Sequence, residues 1–215
     1  PEGGRLIRLE GQPRLVARDV TVPGDPSSAA FVLVAALLVP GSDVTITNVG
    51  LNLLRTGLFT TLREMGGRLD ILDERTEGGE PVGDLHVRAS SLQAVDVPAD
   101  RAPSMIDEYP VLAVAAAHAT GISRLRGLAE LRVKESDRLA STVALLENNG
   151  VRTRIDGDDL IIHGTGGHIP GGGLVATHMD HRLALGASGL WLGADKPVDI
   201  GDPACIDTRF PGEFP

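Results

Sequence analysis

The 215 residues include 29 acids against 20 lysines and arginines, a net charge of −9 that leaves no general basic face for nucleic acid. Hydrophobic residues make up 42% of the chain, enough to core one large domain or two small ones, while 3% aromatic content is too little for a stacking platform for sugars or single strands. The apolar run at residues 29–39 stops at Pro40-Gly41, short of a bilayer span, and the lone Cys205 allows neither an intrachain disulfide nor a thiolate metal cluster, so no membrane role and a reducing, cytoplasmic compartment are expected.

The start, Pro1-Glu2-Gly3-Gly4, lacks a methionine and the features of a signal peptide. The expectation is a chain that begins inside a larger protein, with residues 1–19 a lead-in and residues 20–215 one domain. An apolar helix is predicted over residues 27–39, then an alternating strand over 43–49. A second helix over 53–65 closes on Gly66-Gly67, a C-terminal stop signal, and strands follow at 68–73 and 84–88. The order then begins again: a small-residue helix over 108–119, a strand over 122–127, a helix over 134–149 stopped at Gly150, and strands over 151–155 and 160–163. The glycine-rich run 164–173 has neither the spacing nor the Lys-Ser/Thr ending of a phosphate loop and reads as a flexible hairpin connection. A third copy opens with a helix over 181–192 and a strand over 197–200, then breaks off at 207–215, where a second helix is due.

The unit is helix, strand, helix, strand, strand, with Ser27, Asp107 and Asp180 at corresponding positions. Repeated βαβαββ-type units around a pseudo-threefold axis would bury the first helix of each copy, which fits helices that are apolar on all sides. An ordinary doubly wound α/β sheet is the alternative, although the strand pair after each second helix fits it poorly.

Polar residues gather where these helices start, and helix starts favour anions. The segment Arg132-Val133-Lys134-Glu135-Ser136-Asp137-Arg138-Leu139 packs cations and acids into one turn ahead of an apolar helix. Helical spacing would set Lys134 and Arg138 on one face with Glu135 beside them. Such a cluster is either a solvated helix start or the site of an anionic substrate that needs a proton moved. With symmetric copies, Asp107, Lys134, Glu135, Arg138, His181 and Arg182 would share one rim as a cationic mouth. Taken singly, Asp107 and Asp180 read as helix caps, His181 as a surface histidine and Arg182 as a surface arginine. His163, His168 and His178 have no metal-ligand spacing, and neither metal nor cofactor is expected.

Four ordered motifs resemble the carboxy-terminal half of the 5-enolpyruvylshikimate-3-phosphate synthase family. They are Pro23-Gly24-Asp25-Pro26-Ser27-Ser28-Ala29-Ala30-Phe31, Met105-Ile106-Asp107-Glu108-Tyr109-Pro110, residues 131–139 and Asp180-His181-Arg182. The first two are most similar to the bacterial branch with glyphosate-tolerant members. The resemblance implies a two-domain enzyme with its site in the interdomain cleft, of which this chain is the second domain, cut short in its third repeat, with the amino-terminal domain as its partner. The implied reaction moves the carboxyvinyl group of phosphoenolpyruvate to the 5-hydroxyl of shikimate 3-phosphate and releases phosphate.

By family position, Asp107 would hold the shikimate hydroxyl and accept its proton, Glu135 would shuttle the proton at the vinyl carbon, and Lys134 would bridge shikimate phosphate ester and reacting centre. Arg138 and Arg182 would grip phosphoenolpyruvate, supported by His181. Two departures stand out: Ala129-Glu130 where many members place Asn, and Thr208, with Arg209 beside it, where other branches use Lys. A related transferase acting on a nucleotide sugar and a non-catalytic folding module are the competing readings.

Overall fold

The computed structural model describes residues 8–17 and 19–208. The first unit comprises α1 (Pro26–Leu38), β1 (Asp43–Gly50), α2 (Gly57–Glu64), β2 (Arg68–Glu77) and β3 (Glu80–Arg88). Its strands form an antiparallel sheet in the order β1-β3-β2. Gly78 and Gly79 turn the β2–β3 hairpin with φ of +58° and +90°, the left-handed pair that matches strand twist.

The second unit runs through β4 (Asp96–Val97), a 3-10 turn at Ile106–Glu108, α3 (Tyr109–His118), β5 (Thr120–Leu125), α4 (Arg138–Asn148), β6 (Thr153–Asp156) and β7 (Asp159–Thr165). These strands form the sheet β4-β5-β7-β6. The third unit has β8 (Ile169–Gly171), β9 (Leu174–Ala176), α5 (His181–Trp191), β10 (Ala194–Lys196) and β11 (Asp199–Gly201), with β8 parallel to β10 and β9 parallel to β11.

Helices α1, α3 and α5 touch one another pairwise and form the interior. Every residue of α3 is buried, and Leu33, Leu112 and Leu183, one from each helix, are fully excluded from solvent. Each such leucine contributes about 1.5–3 kcal/mol of apolar burial. The alanines of α3 let its neighbours approach closely, so the expected repeat of buried helices and outer sheets is what the chain adopts.

Several boundaries differ from the sequence reading, each for a local reason. Helix α2 starts at Gly57 because Asn52 forms a turn first, its side chain accepting from Leu54 N at 3.0 Å and its carbonyl from Arg55 N at 2.7 Å. Helix α4 starts at Arg138, since Asp137 caps it by accepting from Ala140 N at 3.0 Å and Lys134 is extended at φ −82°, ψ −157°. The strand expected over 197–200 is instead split around Pro197 into β10 and β11.

The run 164–173 is not a hairpin connection: β7 continues through Thr165 and β8 pairs with a strand that follows α5. Its glycines serve close packing, because a Cβ on Gly164 would lie 2.1 Å from the Ala119 carbonyl oxygen and one on Gly173 would lie 2.2 Å from that of Asn148. Among the described residues no helix is long and apolar enough to cross a membrane.

Candidate active site

The amino-terminal ends of α3 and α5 meet the segment that leads into α4, and this junction collects every residue singled out for the rim. Asp107 lies in the 3-10 turn that precedes α3, and no side chain caps that helix. Its carboxylate instead faces Arg138 Nη1 at 2.9 Å, Lys134 Nζ at 3.6 Å and Arg182 Nη2 at 3.8 Å. Burial pushes the Asp107 carboxyl upward, but Arg182, Lys134 and Arg138 outweigh it and hold the group below the usual carboxylate range. The simple cap reading of Asp107 therefore fails.

Lys134 reaches Asp107 from an extended residue and not from a helical face, which corrects the expected spacing argument. The convergence survives because the link between residues 133 and 138 folds over the start of α3. Lys134 also pairs with Glu130 at 2.5 Å, and that hydrogen bond, above all, holds the ammonium pKa above its ordinary value. Glu130 thus has a definite place: it sits on the candidate lysine.

Arg138 is the innermost cation, its side chain 1% exposed. Its Nε donates to Asp180 Oδ2 at 2.7 Å, its Nη1 to Asp107 and its Nη2 pairs with Glu135, which is itself mostly exposed. Asp180 does cap α5, accepting from Arg182 N at 3.0 Å, but it is also the buried counter-ion of Arg138. Reading it as a cap alone missed that role.

Arg182, in the first turn of α5, donates to the Asp107 carbonyl at 3.2 Å and approaches the buried Glu108 carboxyl at 3.8 Å. Burial pushes the Glu108 carboxyl up. His181 opens the same helix and is half-buried. Arg209 lies outside the described residues.

The expected cationic mouth is corrected by these pairings. Asp107, Glu108, Glu130, Glu135 and Asp180 surround Lys134, Arg138 and Arg182, so each cation already faces a carboxylate. An incoming anion must compete for them. The outward-facing partners Glu130 and Glu135, both more than half exposed, are the ones most readily displaced, whereas Asp180 is not. Asp107 under three cations is a carboxylate held in its ionised form, and Glu135 is an exposed acid on the link that precedes α4. Among the described residues no cluster of His, Cys, Asp and Glu fit for a metal ion occurs.

A hollow lies elsewhere. A cavity of about 750 Å³ opens at the carboxy-terminal ends of α1, α3 and α5, lined by Leu37, His118 and Gly193 among others, and none of the rim residues contributes to it. The charged rim lies at the opposite helix ends.

Residues 2–215 match the model of the family described as EPSP synthase (3-phosphoshikimate 1-carboxyvinyltransferase). The chain is 70% identical over 210 residues to the 3-phosphoshikimate 1-carboxyvinyltransferase of Gluconobacter oxydans, covering 98% of this chain and 47% of that protein. It is 67% identical to the protein of that name in Acidiphilium cryptum, covering 99% and 47%. The chain thus spans about half the length of the curated relatives it matches. Among solved structures, the EPSP synthase of Acinetobacter baumannii superposes with a TM-score of 0.88 at 38% identity, over 95% of this chain and 49% of that one. The enolpyruvyl transferase NikO of Streptomyces tendae, at 21% identity and a TM-score of 0.65 over 87% of this chain and 41% of that one, shares the fold.

Proposed function

The chain belongs to the EPSP synthase family, and on that premise we propose that it forms one wall of the active site of a 3-phosphoshikimate 1-carboxyvinyltransferase, with an amino-terminal half supplying the other wall. The observation that carries this reading is Asp107: a carboxylate free of capping duty, set under Arg138, Lys134 and Arg182 where two helix starts meet. Residues 20–215 would be the second domain and residues 1–19 the lead-in from the first. Placement within the glyphosate-tolerant branch rests on the forms of the first two motifs, and a cytoplasmic location on the chemistry expected of a biosynthetic enzyme.

The reaction joins the 5-hydroxyl oxygen of shikimate 3-phosphate to the substituted vinyl carbon of phosphoenolpyruvate. The hydroxyl proton goes to Asp107 while Glu135 protonates the terminal vinyl carbon. The resulting tetrahedral intermediate then loses phosphate, which carries off the proton held by Asp107, and Glu135 takes a proton back from the methyl group to restore the double bond. Two carboxylates in unlike settings suit these opposite tasks. Asp107 is kept ionised by its cations, and it becomes more basic as anionic substrates draw Lys134 and Arg182 toward themselves.

Lys134 is assigned to the shikimate phosphate ester and the reacting centre. Arg182 is assigned to phosphoenolpyruvate, with His181 beside it, and the Arg138 fork serves the same ligand through the edge now covered by the exposed Glu135.

The test compares this chain alone with the chain joined to the amino-terminal half of a relative. The joined enzyme should release phosphate from the two substrates, whereas the chain alone should fold without turnover, because half a cleft leaves the reactants unaligned. Turnover by the isolated chain would overturn the shared-cleft reading, and a folded joined enzyme that binds both ligands without reaction would overturn the assigned activity.

A further inference from the structure

Glu108 has no part in the roles assigned above, yet it is the most enclosed acid at the rim after Asp180. Its side chain is 5% exposed, and its Oε1 has no hydrogen-bond partner among the described residues. It follows Asp107 directly at the start of the fully buried α3, so it has no freedom to swing away. From α1 it faces Ser27, from α5 Arg182, from the loop before α2 Arg55, and from its own turn Asp107. Arg55 is partly engaged elsewhere, donating to Asp25 at 3.1 Å and to the Ser27 hydroxyl at 2.8 Å.

We propose that Glu108 is a positioning residue for Arg182: it holds the guanidinium from beneath against Asp107, and it sets how much of that positive charge is left for an anion arriving from the cleft. This rests on the functional reading above, in which Arg182 binds phosphoenolpyruvate. The geometry separates two effects. Packing of the Glu108 side chain helps fix where Arg182 points, since the other holds that the described residues give this guanidinium are the Asp107 carbonyl at 3.2 Å and an equally long approach, 3.8 Å, to the Asp107 carboxylate. Charge on Glu108 competes with the ligand, because a carboxylate and an anion cannot both be fully compensated by one guanidinium in a partly desolvated site.

The competition has a sign. Burial already favours the protonated carboxyl of Glu108, and a bound anion on Arg182 favours it further. Anion binding is therefore accompanied by proton uptake, and affinity falls as the pH rises through the range in which Glu108 ionises. The ligand's own phosphate titrates nearby, but equally for every variant, so differences between variants isolate Glu108.

The experiment is calorimetric titration of phosphoenolpyruvate into the joined, two-half enzyme from pH 5.5 to 8.5, for the parent and for Glu108→Gln, Glu108→Ala and Arg182→Ala. The Glu108→Gln variant keeps the shape and removes the charge, so its affinity should fall less with pH than that of the parent, and its proton uptake should be smaller in buffers of different ionisation enthalpy. The Glu108→Ala variant also removes the support, so it should bind about tenfold more weakly than Glu108→Gln at every pH, with Arg182 no longer held in place. Parallel pH curves for the parent and Glu108→Gln, or equal affinities for Glu108→Gln and Glu108→Ala, would overturn the inference. If Glu108→Ala does not fold, the Glu108→Gln comparison decides alone. Arg182→Ala separates the two levels: undiminished binding in that variant removes Arg182 from the ligand site and sinks the functional reading, whereas a large loss there with no effect at Glu108 removes only this proposal.

Discussion

Arg138 and Asp180 form the innermost ion pair of the rim, Nε to Oδ2 at 2.7 Å, with side chains 1% and 0% exposed. The pair joins the start of α4 to the start of α5, and the same guanidinium then reaches Asp107 at 2.9 Å ahead of α3. One side chain thereby sets the mutual placement of three helix starts.

Asp180→Ala should cost about 3 kcal/mol of stability, because it removes the fully buried counter-ion of Arg138 and the cap of α5, leaving the guanidinium only its partly exposed partners. Arg138→Met combined with Asp180→Leu should recover most of that loss without restoring phosphoenolpyruvate binding. Urea denaturation of the chain, alongside ligand titration of the joined enzyme, checks both; a double variant as unstable as Asp180→Ala would remove the buried-charge explanation.

Lys134 and Arg182 should divide the ligands. Arg182→Lys keeps the charge but loses the planar fork, so phosphoenolpyruvate should bind about tenfold more weakly, roughly 1.4 kcal/mol, with shikimate 3-phosphate little changed. Lys134→Met should show the reverse emphasis and also slow the chemical step. Calorimetry of each variant with each ligand makes the comparison, and the opposite pattern would mean that the two anion sites are inverted.

Asp107→Asn and Glu135→Gln should each lower turnover of the joined enzyme by at least about 100-fold, the scale of a lost acid or base. They should differ in binding, because Asp107 anchors three cations while Glu135 only covers Arg138 from outside. Steady-state rates for both variants supply the test, and near-normal turnover in either would remove that residue from the mechanism.

His118, at the far end of α3, should impose a pH slope on stability. Its Nδ1 donates to the Val114 carbonyl at 2.9 Å, Nε2 has no partner among the described residues, and burial pushes its pKa down. The unfolded chain therefore takes up a proton that the folded one refuses. The stability is present above the ordinary histidine value of about 6.5 and is lost as the pH falls through the depressed one. Unfolding free energies of the parent and His118→Ala between pH 7.5 and 5 should show a shallower slope in the variant, whatever its absolute stability; equal slopes would refute the assignment.

Gly164→Ala should destabilise the chain by about 3 kcal/mol or more, since the new methyl group would meet the carbonyl oxygens of Ala119 at 2.1 Å and Ala116 at 2.8 Å. Gly157→Ala, at φ +64° with open space around it, should cost only about 1–2 kcal/mol for its left-handed backbone. Thermal melts of the two variants rank them.

The interior was readable in the sequence because its signals are local: helices apolar on every side, stopped by glycine, spaced at similar intervals. The four motifs marked the rim for the same reason. What escaped was non-local or geometric. Nothing near Asp180 announces that its partner stands 42 positions earlier, at Arg138. Glu108 was overshadowed by Asp107, although a carboxyl that opens a wholly buried helix is itself a signal. The true start of α4 was within reach, since Asp137 before an apolar helix is a good cap. Strands β8 and β9 have three residues each and find their partners only across α5, so no local pattern marks them.

The complete burial of α3 also has a kinetic meaning. Amides along that helix should exchange with solvent only when the whole domain opens, whereas the link that carries Lys134 and Glu135 should open by itself, held as it is by side-chain pairs that face the cleft. Asp107, in the turn that runs directly into that helix, thereby adjoins the slowest-exchanging part of the molecule, while Glu135 rides on a fast one. Any adjustment at the rim should therefore fall on the Lys134–Glu135 link, while Asp107 stays where the core puts it.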